Sequence, residues 1–247
     1  MNAAPADQIR LLDLQALDSR LDQLAHRRRS LPEHAEIEKA SADHTALRDL
    51  VVAAETQLGD TAREQTKAEQ DVEQVRARAV RNQQRLDSGA ITSPKDLENL
   101  QHEIGSLAKR QSDLEDVLLE VMERLESAQG RVTELTARLE HASVVLDEAV
   151  TRRDAGYAEI DADAAKVARD RETVAAVIPA DLMKLYTRLR EQQGGIGAAR
   201  LYQRRCEGCR VELSTADINE IKAQPKDAVV RCENCGRILI RTSDSGI

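Results

Sequence analysis

Cys206-Glu207-Gly208-Cys209 and Cys232-Glu233-Asn234-Cys235 contain every cysteine of the chain, as two Cys-x-x-Cys pairs with 22 residues between them. Four soft thiolates at this spacing suit one tetrahedral zinc ion gripped by two knuckles. A redox dithiol needs only one pair, and neither pair sits in a thioredoxin-like βαβ context. Two disulfides do not fit a cytosolic chain. A catalytic zinc keeps an open coordination position, which four cysteines close. His26, His34, His44, His102 and His141 fall on predicted helices far from the knuckles. The pattern predicts one structural Zn2+ held by Cys206, Cys209, Cys232 and Cys235.

The elements around the cysteines must be small. Gly236 follows the second pair, where a tight knuckle turn accepts little side chain. Arg237-Ile238-Leu239-Ile240-Arg241 reads as a strand with Val229-Val230 as its approach. Ser214-Thr215-Ala216-Asp217 resembles a capping box opening a short helix, with Ile218 and Ile221 inward. About 50 residues without an aromatic core stabilise themselves poorly, so a metal staple is physically needed.

What precedes this part is of another kind. The whole chain has 247 residues, 41% hydrophobic and 32% charged, but three Tyr, no Phe and no Trp. Burial must come from Leu, Val, Ile and Ala, which points to long exposed helices sharing a narrow seam rather than a thick α/β enzyme core. From Leu97 a heptad runs with Leu97, Ile104, Gln111, Leu118, Leu125, Val132, Leu139 and Leu146 at a. Its d positions are Leu100, Leu107, Leu114, Val121, Ala128, Leu135, Ala142 and Ala149. Such persistence is the coiled-coil signature. A weaker heptad precedes it, with Val51, Leu58, Gln65, Val72, Ala79 and Leu86 at a and Leu47, Ala54, Thr61, Ala68, Val75 and Asn82 at d.

Between the two runs, Gly89 stops one helix and Ser93-Pro94 with Asp96 starts the next. So short a connection makes antiparallel neighbours. The expected fold is mainly α: a long antiparallel coiled-coil helical hairpin over residues 1–193, turning near 88–94, and a four-Cys zinc ribbon over 194–247. Leu31-Pro32 breaks the first helix. Arg153 and Gly156 interrupt the second heptad at the opposite level, so a bend is expected there; the alternative is that Pro32 marks only a loop. Ile178-Pro179 ends the long helix, and Asp181–Gln193 reads as a shorter one with Leu182, Leu185, Tyr186 and Leu189 on its apolar face.

Charge is unevenly spread. Residues 1–193 hold 27 Lys+Arg against 37 Asp+Glu, a net −10, while residues 194–247 hold 9 against 7, a net +2. The acidic excess disfavours indiscriminate nucleic-acid binding. Arg200, Arg204, Arg205, Arg210, Arg231, Arg237 and Arg241 nevertheless crowd the ribbon, and surface arginines there could contact phosphates or a partner. Glu207, Glu212 and Glu233 sit among them, and only Tyr202 could stack on a base. A second cluster, Arg76, Arg78, Arg81, Arg85 and Lys95, lies near the hairpin turn, where it can equally be ordinary flanking charge of a coiled coil. The N-terminus lacks a signal peptide's charged and apolar regions, and no run approaches the roughly 18 apolar residues of a membrane span. A cytoplasmic chain is expected, and a monomer, since a hairpin closes its own seam.

Ile178-Pro179-x-x-Leu182-x-x-x-Tyr186, Gly194-Gly195, Cys206-x-x-Cys209 and Cys232-x-x-Cys235-Gly236-Arg237-Ile238-Leu239 together resemble the bacterial four-cysteine zinc ribbon domain family. Thr92-Ser93-Pro94-Lys95-Asp96 through Leu100-x-x-x-Ile104 is similar to its hairpin-turn segment. The resemblance implies a coiled-coil hairpin joined to a zinc ribbon and a nucleic-acid-binding role, with some members tied to an alternative sigma factor and flagellar gene expression. Glu233 departs from the Pro that commonly follows the third cysteine, which leaves ligation untouched.

No G-x-x-x-x-G-K-[ST], H-E-x-x-H or G-x-S-x-G occurs in the chain. The expected function is a non-enzymatic adaptor that binds protein partners through coiled coil and ribbon, in transcription or gene regulation. The competing expectation is an RNA- or DNA-binding regulatory module.

Overall fold

The computed structural model describes residues 1–247. Five α-helices and four short strands follow in order: α1 (Pro5–Arg29), α2 (Glu33–Asp87), α3 (Pro94–Ala176), α4 (Ala180–Gln192), β1 (Ala198–Tyr202), β2 (Arg205–Cys206), α5 (Thr215–Ala223), β3 (Val230–Arg231) and β4 (Ile238–Ile240). A 3₁₀ turn, Ser243–Ser245, closes the chain. The protein is a long antiparallel coiled-coil hairpin with a small C-terminal zinc ribbon. No helix is long and apolar enough to cross a membrane.

The chain divides into two compact units, Ala35–Val150 and Met1–His34 with Thr151–Ile247. In the first, α2 and α3 pair through the two heptads. Val51, Ala54 and Leu135 form a buried cluster flanked by Leu47, Val132 and Leu139, at the a and d levels that antiparallel pairing requires. Leu100, Val121 and Ala68 are buried along the same seam. At the turn, Gly89 takes φ +64 and ends α2, a conformation that costs glycine nothing. Pro94 opens α3 with Asp96 in its first turn, favourable against the positive end of the helix dipole.

In the second unit Pro32 separates α1 from α2, as expected from its missing donor. Arg153 and Gly156 do not break α3, which stays helical from Pro94 to Ala176. Gly156 is accommodated because the Leu31 side chain lies over it, 3.5 Å from where a Cβ would sit. Arg28 stacks its guanidinium 3.9 Å from the centre of the Tyr157 ring, whose hydroxyl meets His34 Nε2 at 3.2 Å.

The ribbon sheet has the order β2-β1-β4-β3, with β1 parallel to β4 and the other pairs antiparallel. Alternation along the strands splits the apolar residues between two cores. Ala198, Ile238 and Ile240 face Leu11 and Leu14 of α1, Ile178, and Leu182, Tyr186 and Leu189 of α4. Ala199, Leu201 and Leu239 face Leu213, Ile218, Ile221 and the cysteines. This explains why Ile238-Leu239-Ile240 is apolar without interruption: both faces of β4 are covered. The N-terminus completes the arrangement, with Ala3 N donating to Asp227 O at 2.8 Å and Val229 N to Met1 O at 3.1 Å. The first core therefore joins α1 and α4 to the strands that follow residue 194.

Candidate metal centre

Each cysteine pair folds into the same knuckle. In the first, Arg210 N donates to Cys206 O at 2.7 Å and Cys206 N to Val211 O at 3.0 Å. In the second, Gly236 N donates to Cys232 O at 2.7 Å and Cys232 N to Arg237 O at 2.9 Å. Arg210 and Gly236 both follow their pairs in the left-handed conformation, at φ 60 and φ 71. Glycine does this freely, whereas Arg210 carries a strain on the order of 1 kcal/mol. Gly208 is required by space: a Cβ would stand 2.7 Å from Arg237 Cδ and 2.9 Å from Ala199 Cβ.

The four Sγ atoms lie within 4.8 Å of one another. Cys206 and Cys235 are 4.0 Å apart, and Cys209 and Cys232 3.9 Å. Zinc–thiolate bonds of about 2.3 Å in a tetrahedron separate the sulfurs by about 3.8 Å, so the constellation has the size of one zinc shell. None of the four forms a disulfide. Cys206 and Cys232 are buried, and Cys209 and Cys235 half-buried.

Electrostatics favour a cation here. Burial pushes the Cys206 thiol up to about 12, against backbone hydrogen bonds from Cys209 and Gly208, while Cys232 and Cys235 add repulsion. Burial likewise raises Cys232. At Cys235 burial also raises the thiol, but hydrogen bonds led by the backbone and side chain of Arg237 prevail and bring it down to about 7. Four such thiolates crowd together only if a metal charge balances them. These residues fit one structural Zn2+, whose chemistry is to cross-link the two knuckles.

Most ribbon arginines hold the fold rather than face solvent freely. Arg237, expected to be exposed, is half-buried. Its Nε donates to Ile196 O at 2.9 Å and its Nη2 to Gln193 O at 2.7 Å, which ties the second knuckle to the end of α4. Arg241 is half-buried and donates to five backbone carbonyls, those of Ile221, Gln224, Pro225, Lys226 and Ala228. Arg231 Nε donates to Gly236 O at 2.7 Å, and Arg205 Nε to Arg210 O at 3.2 Å. Arg204, also half-buried, reaches Thr215 Oγ1 at 3.1 Å. Arg210 remains exposed. Near the hairpin turn, Arg76, Arg78, Arg81, Arg85 and Lys95 are all exposed, and among them Arg78 makes an ion pair, with Glu103.

Residues 14–194 match the CT398-like coiled coil hairpin domain, and residues 205–239 the C4-type zinc ribbon domain. The chain belongs to the CT398-like coiled-coil hairpin family. An uncharacterized protein of Mycobacterium tuberculosis is 38% identical over 241 residues, 98% of this chain and 98% of its own. One of Mycobacterium leprae is 31% identical over 224 residues, 91% of this chain and 96% of its own. A solved structure from Mycobacterium smegmatis superposes with a TM-score of 0.86 at 34% identity, covering 98% of this chain and 100% of that one. CT398 from Chlamydia trachomatis, at 19% identity, shares the fold with a TM-score of 0.68 over 96% of this chain and 98% of its own. The hairpin and ribbon expected from the heptads and cysteines are thus the family's architecture.

Sequence reasoning missed a buried polar network beside the family's ribbon. Gln15 Oε1 accepts from Gly197 N at 2.7 Å, and Gln15 Nε2 donates to Gly195 O at 2.9 Å. Asp18, 3% exposed, accepts from Arg171 Nε at 2.6 Å. Arg190 Nη2 donates to both oxygens of Asp22 at 2.7 Å. Gln8 Nε2 donates to Ala3 O at 2.8 Å and to Lys226 O and Asp227 O. The available signal was position: Gln15 and Asp18 stand four and seven residues after Leu11, on the stripe that Leu11 and Leu14 bury.

Proposed function

We propose that this protein is a non-enzymatic adaptor of the cytoplasm that binds protein partners in transcription or gene regulation. The observation that carries this reading is the internal use of the ribbon cations. Arg237 and Arg241 satisfy carbonyls of their own chain, so they are withdrawn from phosphate contacts, while Glu207 and Glu233 stand exposed between the cysteines of each knuckle. Four thiolates on one zinc add a further negative charge of two to this face. A rigid, nearly neutral knuckle surface and a long helical arm favour protein recognition over counterion release.

Nucleic-acid binding is the second reading, and a different observation favours it: Arg76, Arg81, Arg85 and Lys95 stand exposed near the hairpin turn without ion pairs. Capture of full-length zinc-loaded protein from native lysate, with and without nuclease, separates the two. Nuclease-resistant protein partners support the adaptor. A salt series of RNA and DNA binding for the unmodified protein and for Arg76→Glu/Arg81→Glu/Arg85→Glu completes the test. Micromolar or tighter binding at physiological salt, abolished by the reversals, overturns the adaptor reading.

A further inference from the structure

Within the Ala35–Val150 unit an open groove of about 930 Å³ follows α3 from Leu119 to Glu134, completed by Gln65 of α2. Leu119 and Met122 stand 59% and 45% exposed on it, while the neighbouring Val121 is buried in the seam. Large apolar side chains that the hairpin leaves uncovered in this way mark an interaction surface. Gly130 also lines the groove, exposed and with nothing within 4 Å of where a Cβ would sit. Packing inside the chain therefore does not require glycine there, although a helix interior favours Ala. The charge has one sign: Glu123, Glu126 and Glu134 line the groove, and no Lys or Arg does. Glu123 and Glu126 are exposed without ion partners, and Glu134 has only the loose contact to Arg138 at 3.7 Å. Of the cations in the adjoining turns, Arg124 is paired with Glu64 and Arg63 with Asp60. By contrast, the groove beside Asp43 carries Arg138, and the one at the hairpin turn carries Arg85.

We infer that this groove docks a basic amphipathic helix of a partner protein. The partner's sign follows from the carboxylates. Lys and Arg beside an apolar face pair with Glu123, Glu126 and Glu134, whereas an acidic or phosphate-bearing ligand meets repulsion. Its secondary structure follows from the walls, which are helices whose backbone groups are bonded internally. An extended segment finds no sheet edge to join there, while a helix satisfies its own backbone. Leu119, Met122, Glu126, Gln129 and Thr133 follow one another at three- and four-residue steps along α3. A helix lying alongside matches that spacing with anchors at i, i+3, i+4 and i+7. From Leu119 to Glu134 the face is about 22 Å long, or about four helical turns. Met122 can adapt its shape to the incoming side chains, and Gly130 lets the partner approach closely. This docking surface rests on the adaptor reading and deepens it by giving the partner's chemistry.

Fluorescence anisotropy of the full-length zinc-loaded protein with a labelled synthetic peptide of about 20 residues, about 30 Å as a helix, tests it. The peptide carries Leu at alternating three- and four-residue steps and Lys on the flanking positions. One control replaces each Lys by Glu, and another each Leu by Ser. The Lys/Leu peptide should bind about tenfold or more tightly than either control. Leu119→Ser/Met122→Ser should weaken it by about tenfold or more, and so should Glu123→Lys/Glu126→Lys, by about the same factor. Gly130→Gln should weaken it too while raising the thermal midpoint, because the longer side chain fills the groove and favours the helix. A loss of binding in that variant is then not a loss of fold. Equal binding of the controls, or equal binding of the peptide to the variants, overturns the inference. So does a sedimentation mass above 27.4 kDa that Leu119→Ser/Met122→Ser returns to the monomer, which would give the groove to a second copy. Nuclease-resistant partners captured equally by the unmodified and Leu119→Ser/Met122→Ser proteins overturn the groove and leave the adaptor reading standing.

Discussion

Tyr186 Oη donates a hydrogen bond to Asp18 Oδ2 at 2.7 Å, joining α4 to α1 inside the core that carries the ribbon sheet. Tyr186 is fully buried, and Asp18 also holds Arg171 and lies 3.5 Å from Arg190 Nε. Tyr186→Phe keeps the ring and removes a donor from a buried carboxylate, so it should cost about 1–3 kcal/mol of stability. Chemical denaturation of the full chain would measure this.

The same tyrosine sets an alkaline limit. Burial, reinforced by the bond to Asp18, raises its hydroxyl above the ordinary value. A folded-state value above the unfolded one favours the protonated, folded form, so this contribution is complete below about pH 10 and is lost as pH rises beyond it. Stability measured from pH 8 to 11 should fall more steeply in the unmodified protein than in Tyr186→Phe. Parallel slopes would remove Tyr186 from the account.

Cys209→Ser should lose most bound zinc yet retain most helical circular dichroism. α2 and α3 bury their own Leu and Val along the seam, whereas the ribbon core is built around the cysteines. Zinc content by mass spectrometry and far-ultraviolet dichroism on one sample test both halves. Loss of most helicity would mean that hairpin and ribbon fold as one.

Gly197→Ala is expected to be among the most damaging single-methyl additions. The new Cβ would stand 2.7 Å from Tyr186 O and 2.9 Å from its ring, and backbone cannot step aside as a side chain can. A loss of about 1–3 kcal/mol follows from such overpacking. Gly105→Ala, in open space on α3, should instead stabilise by up to about 1 kcal/mol. Equal thermal shifts for the two would contradict the packing argument.

The bend expected at Leu31-Pro32 and Arg153/Gly156 stands as a proposal with its own measurement. Pro32→Ala with Gly156→Ala raises helix propensity on both strands at one level. Spin-label distances between residue 90 and the ribbon should narrow in the double variant. An equally narrow distribution in the unmodified protein refutes the bend.

The heptads from Leu47 to Ala149 and the two Cys-x-x-Cys pairs are local, repetitive patterns, and each implies its structure with little help from the rest of the chain. A seam needs only its period, and a thiolate quartet needs only its spacing. The capping box at Ser214 and Asp217 was legible for the same reason. Distant partners were not. Gln203 and Arg204 form a left-handed two-residue turn, φ 44 and 69, without the glycine that would announce it. The 3₁₀ turn supports it through Asp244 O and Ser245 O, which accept from Gln203 N and Arg204 N. Arg237 and Arg241 looked like free surface charge because the carbonyls they bind come from other segments. Nothing in the residue types of Gln15 and Asp18 announces their burial, which arises only where Gly195, Gly197, Arg171 and Tyr186 come together around them. Periodicity records which face of an element is apolar, but a buried hydrogen bond depends on which other element arrives there, and that meeting exists only in the folded chain.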